Sequence, residues 1–321
     1  MKVGHTDQHA FFTENGYLVV EDLLEKDEIQ ALVDDYGQLL KTLAPQFYAE
    51  GKIPAAFEDL PFEARLTAVL SESTENLFAH FDISLPNATI TNETPFHLSK
   101  SIFNMIKNPR ILDVIETLIG SEIYASPIQH VRIKPPQTKI ERNQQQSSLV
   151  QRTGWHQDQG VAREESDDTE MITVWLAITD ATLENGCLQI IPKSHHGEIA
   201  PHCPVGAQMI IPEKLLDSAP KPIPIKAGSA LLLHRRTKHA SLPNISNRIR
   251  WSFDLRYQPI GQPTGRDELP GMVVRSRQNP KSVQASYEEW VQSWHNAKKE
   301  LVQQAERPKL HRWDGNAEIC A

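Results

Sequence analysis

The spacing of apolar residues changes near residue 123, and the change divides the chain into a helical part and a β-rich part. In the first part Ile29, Leu32, Val33, Tyr36, Leu39 and Leu43 recur at three- and four-residue intervals, which predicts an amphipathic helix from about Lys26. Residues 59–83 carry one or two further helices, and Leu98–Ile106 and Pro109–Ile119 form a pair. Asn108-Pro109 is a start signal for the second of these, with proline at the first helical position. Ahead of all of them, Asn15-Gly16 reads as a turn and Tyr17–Val20 as a short buried strand. Beyond Ile123 short β-rich runs follow one another: Gln129–Ile133, Ile172–Ile178, Cys187–Ile191, Pro222–Ile225, Ala230–Leu233 and Arg248–Tyr257. Turn clusters such as Glu184-Asn185-Gly186 and Ala227-Gly228-Ser229 separate them.

The last of these runs has the cleanest alternation. Ile249, Trp251, Phe253, Leu255 and Tyr257 fall on one face; Arg248, Arg250, Ser252, Asp254 and Arg256 fall on the other. The polar face has two readings, a solvated outer surface or the interior of a barrel. Helical periodicity returns at the end: Ser286-Tyr287-Glu288-Glu289 fits a capping box. Tyr287, Trp290, Val291, Trp294 and Leu301 then make a stripe suited to core packing.

Many short strands with turns between them predict a mainly β fold with flanking helices, a sandwich or barrel. The expected organisation is one domain over residues 1–321, with a helical part at about 22–120, a β core at about 123–260 and a helical extension at about 281–321. With 39% hydrophobic and 23% charged residues the composition is that of a globular protein. A net charge of −8 argues against a general nucleic-acid binder. No run approaches the roughly 18–20 apolar residues of a membrane span, and the amino terminus leads into no secretory core, so a cytoplasmic location is expected. Three widely spaced cysteines, Cys187, Cys203 and Cys320, fit free thiols in a reducing compartment, with Cys187 packed as a small hydrophobe.

The candidate chemistry begins at Gly154-Trp155-His156-Gln157-Asp158. Residues two apart on a strand point the same way, so His156 and Asp158 can reach one metal. With a distal histidine they would form two nitrogens and one carboxylate on one face, the set that leaves open positions on non-heme iron. Alone, such a triplet is a weak signal among 13 histidines and 41 acidic residues. His239 and His234 both offer the distal ligand. An arginine beyond that histidine would grip a far carboxylate in two prongs. The metal motif also favours the barrel-interior reading of the arginine-bearing strand face.

In combination, several segments resemble the phytanoyl-CoA dioxygenase family, to which ectoine hydroxylase is related. They are the metal segment, Ile172–Asp180, Asn185-Gly186-Cys187-Leu188 with Ile191-Pro192-Lys193-Ser194-His195, and His239-Ala240-Ser241-Leu242-Pro243-Asn244-Ile245-Ser246. The resemblance covers roughly residues 10–260. It implies a double-stranded β-helix, a cupin-like jelly roll, using Fe(II), 2-oxoglutarate and O2. It also implies iron ligands His156, Asp158 and His239. Arg250 stands eleven residues after His239, as in the family, whereas Ile245 stands there after His234. Arg250 would then hold 2-oxoglutarate, with Thr173, Lys134 and His130 assisting. Arg132, Gln159 and Arg256 would face the substrate.

The implied activity is hydroxylation of a small-molecule metabolite with release of succinate and CO2. Asp158 argues against halogenation, since related halogenases have a small residue there. The cationic pocket suggests a carboxylate-bearing substrate, unless Asp254 neutralises Arg256 internally. A non-catalytic scaffold of the same fold and a protein side-chain hydroxylase are the alternatives. Lys193 departs from the glycine that relatives often carry in their Pro-Gly-Ser-His turn. His195 and His196 are expected to serve structure through hydrogen bonds. Pro135–Arg152, rich in Gln and Ser, reads as a loop before the metal motif with the character of a lid. The ending Leu310-His311-Arg312-Trp313 has no reading of its own.

Overall fold

The computed structural model describes residues 5–75, 77–86, 90–137, 153–206, 208–304, 312–313 and 315–320. The helices are α1 (His5–Asn15), α2 (Lys26–Ala49), α3 (Phe62–Ser71), α4 (Lys100–Ile106), α5 (Pro109–Ile119) and α6 (Tyr287–Gln303). Their ends follow from local chemistry. Glu25 and Glu28 form a reciprocal capping box at the start of α2. Asn108 caps α5 ahead of Pro109, and Gly120 ends it at a φ of 85°. Ser286 accepts a hydrogen bond from the Glu289 amide and caps α6. Most of the expected lid falls outside the described residues, as do Leu310 and His311.

The first seven strands are β1 (Tyr17–Val20), β2 (Ile123–Ala125), β3 (His130–Lys134), β4 (Ile172–Ala177), β5 (Leu188–Ile190), β6 (Cys203–Val205) and β7 (Gln208–Ile210). The others are β8 (Lys221–Ile223), β9 (Ala230–His234), β10 (His239–Ser241), β11 (Arg250–Pro259) and β12 (Met272–Arg275). The larger sheet has the order β1-β9-β4-β11-β2-β12, with β3 also paired to β11. The smaller has the order β10-β5-β8, and β6 and β7 form a separate hairpin. All the pairings are antiparallel.

Two layers of core explain this arrangement. Tyr17, Trp175, Leu231 and Leu233 of the larger sheet pack against Leu188, Ile190 and Ile223 of the smaller one, with the buried Cys187 among them. The sheets therefore face each other as a jelly roll. The outer face of the larger sheet carries Trp251, Phe253, Leu255 and Tyr257 into the main core. Helix α2 covers it, with the Tyr36 ring 4.8 Å from that of Trp251. The α6 stripe is core as well: Trp290 lies 5.6 Å from Phe103, and Trp290 and Trp294 are buried.

Strand β11 thus presents its apolar face to the helices and its polar face to the interior between the sheets. Arg250 and Arg256 are 1% and 4% exposed, which removes the outer-surface reading of that face. Arg248 precedes the strand and is exposed. Lys193 adopts a φ of 65°, a left-handed conformation that favours glycine.

The expectation of three free thiols is corrected. Cys203 on β6 is bonded to Cys320, 117 residues on. Cys187 is the free, buried thiol. The inference of a reducing compartment loses its basis. Among the described residues no helix is long and apolar enough to cross a membrane.

Candidate active site

His156 and His239 come together through their backbones. Each amide donates to the other's carbonyl at 3.0 Å, an isolated antiparallel bridge that extends the smaller sheet. Asp158 lies at the start of a 3₁₀ turn, Asp158–Val161, that leaves this strand edge. The Nε2 atoms of His156 and His239 lie 3.9 and 3.8 Å from the two oxygens of Asp158. One potential ligand atom from each residue fits within a 4.8 Å span. The other ring nitrogens are already committed. Nδ1 of His156 meets the Gly154 carbonyl and Nδ1 of His239 the Thr237 carbonyl, both at 2.9 Å. A carbonyl accepts only from N–H, so each bond places the proton on Nδ1 and leaves the Nε2 lone pair facing Asp158.

A cross-strand pair holds the carboxylate. Thr173 on β4 stands opposite Arg256 on β11. The Thr173 hydroxyl donates to Oδ2 and Nη2 of Arg256 to Oδ1, each at 2.6 Å. Burial would raise the Asp158 pKa, but Arg256, the two imidazoles and the Thr173 hydroxyl outweigh it and hold the acid well below the usual carboxylate range. Burial, reinforced by the neighbouring His239, holds His156 well below the usual imidazole range. An anionic carboxylate beside a neutral imidazole is the protonation state a metal requires.

Arg250 enters the same chamber between Trp175, Leu188 and Leu233. Its guanidinium carbon lies 5.1 Å from the centre of the Trp175 ring, and Nη1 donates to Ser252 at 2.7 Å. Nε is buried without a hydrogen-bond partner. No ion pair joins Arg250 to a carboxylate among the described residues. Burial pulls its pKa down to about 10, so it remains a cation at neutral pH. A buried cation with an orphaned donor is costly unless an anion joins it. The chamber is narrow, about 20 Å3, but its charges suit an anionic group at Arg250 and oxygen donors at the metal residues.

A sequence profile of the phytanoyl-CoA dioxygenase (PhyH) family matches residues 12–252. The chain belongs to this family. Phytanoyl-CoA dioxygenase of Arabidopsis thaliana is 25% identical over 264 residues, 78% of this chain and 87% of that protein. The peroxisomal phytanoyl-CoA dioxygenase of Homo sapiens is 22% identical over 196 residues, 61% of this chain. That match spans about half of the human protein, 49%. Among solved structures, the epimerase SnoN in complex with Fe3+, alpha ketoglutarate and nogalamycin RO aligns at a TM-score of 0.51. It is 18% identical and covers 81% of this chain and 87% of SnoN. This likeness supports the jelly-roll fold.

Around this family scaffold the other expected residues divide. His130 and Arg132 line an outer cavity of about 390 Å3 that opens from the metal residues. Each already has an acidic partner, Asp82 at 2.9 Å and Asp254 at 3.0 Å. Arg256 is neutralised internally, but by Asp158. Asp254 is taken by Arg132, which stands diagonally across the β3–β11 pair. Thr173 binds Asp158 while bordering the inner chamber. Lys134 is buried and bonds Ser241 and Thr153 at 2.9 and 3.2 Å. Gln159, expected at the substrate, turns away: its amide donates to the Ser166 carbonyl and hydroxyl at 2.6 and 3.0 Å. It lies within the 3₁₀ turn that Asp158 begins, where its side chain ties the turn to Ser166. His234 stays off the metal cluster and packs 5.0 Å from His195. His195 and His196 meet the carbonyls of Thr13 and Glu14 at 3.0 and 3.2 Å.

Sequence reasoning missed the support around the Asp158–Val161 turn. Trp313 stacks 5.3 Å from the His202 ring and donates to the Gly160 carbonyl at 2.5 Å. Arg312 bonds the Gln159 carbonyl at 3.1 Å and clasps Asp167. Gly160 is required because a Cβ there would sit 2.2 Å from the His202 ring. The disulfide anchors the same tail to the β6–β7 hairpin, whose Gln208 and Met209 line the outer cavity. The otherwise opaque Arg312-Trp313 pair thus braces the turn that carries Asp158.

The Asp158 clasp carries a prediction. Arg256→Gln keeps a donor but removes the charge. Iron or cobalt affinity should fall about 10–100-fold, as for loss of other partners of metal ligands. Metal titration of the purified variant measures it. Unchanged affinity would return Arg256 to a role toward substrate.

Proposed function

We propose that this protein is an Fe(II)- and 2-oxoglutarate-dependent dioxygenase that hydroxylates a small molecule. The observation that carries the reading is the joint placement of His156, Asp158 and His239 beside a buried Arg250 that lacks an anion. The two imidazoles and the carboxylate would hold Fe(II). Arg250 would neutralise the far carboxylate of 2-oxoglutarate, and Trp175, Leu188 and Leu233 would shield it from water. With O2, the bound iron and cosubstrate would convert a substrate C–H to C–OH while 2-oxoglutarate becomes succinate and CO2.

The chain's own part is position and charge. The Gly154 and Thr237 carbonyls keep the imidazoles in the metal-binding tautomer. Thr173 and Arg256 keep Asp158 anionic and fix its direction. The buried chamber removes competing water, which strengthens the pairing at Arg250. His130 and Arg132 face the cavity next to the metal residues, where substrate would lie.

The test is succinate release by the purified chain supplied with Fe(II) and 2-oxoglutarate. Release should require iron and rise with small-metabolite pools. Stimulation by peptide pools alone would make the substrate a protein side chain. Absence of release above a protein-free control with either pool would sink the dioxygenase reading.

A further inference from the structure

The outer cavity carries more positive charge than its known tasks use. Besides the metal-site His156, four basic side chains line it: His130, Arg132, Arg256 and Arg266. Asp82 faces His130, Asp254 faces Arg132 and Asp158 faces Arg256. Arg266 is the remainder. It is 3% exposed, and its donors reach two neutral acceptors, the Gly265 and Val161 carbonyls, each at 2.9 Å. No carboxylate pairs with it among the described residues. Glu268, two residues on, is gripped through both oxygens by Arg163, at 2.6 and 3.0 Å. Burial, with Arg163 and Arg256 nearby, lowers the Arg266 pKa to about 10, which leaves it protonated.

The loop beneath Arg266 is held firmly. Gly265 has a φ of +67°, and a Cβ there would meet Ser166 at 2.7 Å. The Arg266 amide donates to the Thr264 hydroxyl at 3.0 Å. The Val161 carbonyl ends the turn that Asp158 begins. The guanidinium is therefore tied to the metal-site turn, at a fixed offset from Asp158. Apolar walls from Ile128, Val161, Met209 and Leu269 complete the cavity.

We infer that Arg266 is an anchor for an anionic oxygen group of the substrate, a carboxylate, phosphate or sulfate, and that this contact sets which carbon faces the metal residues. A buried cation with only neutral acceptors is stabilised when an oxyanion joins it, and the planar fork suits a two-pronged contact. The term substrate rests on the dioxygenase reading; anion binding at Arg266 does not.

Inorganic phosphate, titrated calorimetrically into the metal-free full chain, is the first probe. Wild type should bind it. Arg266→Gln should weaken binding at least about tenfold, since a charge-assisted contact is lost. Arg250→Gln should retain the site that Arg266→Gln loses. Arg266→Lys covers the case in which the glutamine variant does not fold: it should weaken phosphate several-fold, because an ammonium lacks the fork. Wild-type phosphate affinity in any folded Arg266 variant would overturn the assignment, as would a wild-type chain that takes no phosphate. The second arm uses the iron-loaded enzyme with carboxylic acids and their amides. Arg266→Gln should raise KM for the acid far more than for the amide; equal effects would overturn the substrate role. A phosphate site without succinate release from any compound would retain the anion site and sink the dioxygenase reading instead.

Discussion

His239→Ala is expected to abolish iron-dependent turnover and to take bound iron from one per chain to near none. The variant removes one of the two imidazole nitrogens beside Asp158, which lies 3.8 Å from His239 Nε2. The backbone bridge between residues 156 and 239 uses amides and carbonyls alone, so the fold should survive the truncation. His156→Ala should behave alike for the same geometric reason. The loss should exceed the roughly 10–100-fold that follows removal of a partner behind a metal ligand. Iron content by elemental analysis and succinate release measure the two effects separately. Cobalt or zinc should occupy the same nitrogen and oxygen set in wild type and inhibit, because affinity follows ligand type. Full activity with bound iron in both histidine variants would end the assignment of the triad.

That site was legible because its spacing survives in the sequence. The strand carrying Arg250 shows ten residues of strict alternation, and the fold keeps that alternation: apolar side chains meet α2 and polar ones enter the interior. A one-residue slip would have reversed every side chain, so the alternation fixes the face, while the choice of Arg250 among its arginines rests on the spacing from His239. Local patterns failed where structure depends on distant partners. The residues of α1 put no continuous apolar stripe on one side. The β6–β7 hairpin consists of two three-residue strands, one containing Pro204, too short for alternation to register. The disulfide joins β6 to a tail 117 residues away, and no spacing rule reaches that far.

Pairing was the least legible property. Arg132, Arg250 and Arg256 share one interior and look alike in sequence. Which of them meets Asp254, which meets Asp158 and which meets neither follows from the register of β3, β4 and β11. Arg266 lies in an irregular segment beyond β11, where no periodicity points to a pocket. Its significance appears only after the other cations have been matched to their acids.

The same matching sharpens the second large effect, on the cosubstrate. Arg250→Ala should raise the 2-oxoglutarate KM about 30-fold or more, since loss of a buried charge-assisted partner costs on the order of 2–5 kcal/mol. Arg250 is 1% exposed and its Nε lacks a partner, so the bound carboxylate would complete an interaction that the chain alone leaves unmade. Arg250→Lys should recover only part of the affinity, because an ammonium beside Trp175 cannot offer two parallel donors. Iron content separates this defect from that of Arg256. Arg250 makes no contact with Asp158, so Arg250→Ala should keep one iron per chain while losing cosubstrate affinity. Arg256→Gln should lose iron first, through the carboxylate it holds at 2.6 Å. Arg248 is exposed and outside the strand, so its truncation should change neither quantity. A larger cosubstrate defect in Arg248→Ala or Arg256→Ala than in Arg250→Ala, at equal iron content, would mean that the anion is held elsewhere on this face. The orphaned donor of Arg250 would then need a different ligand.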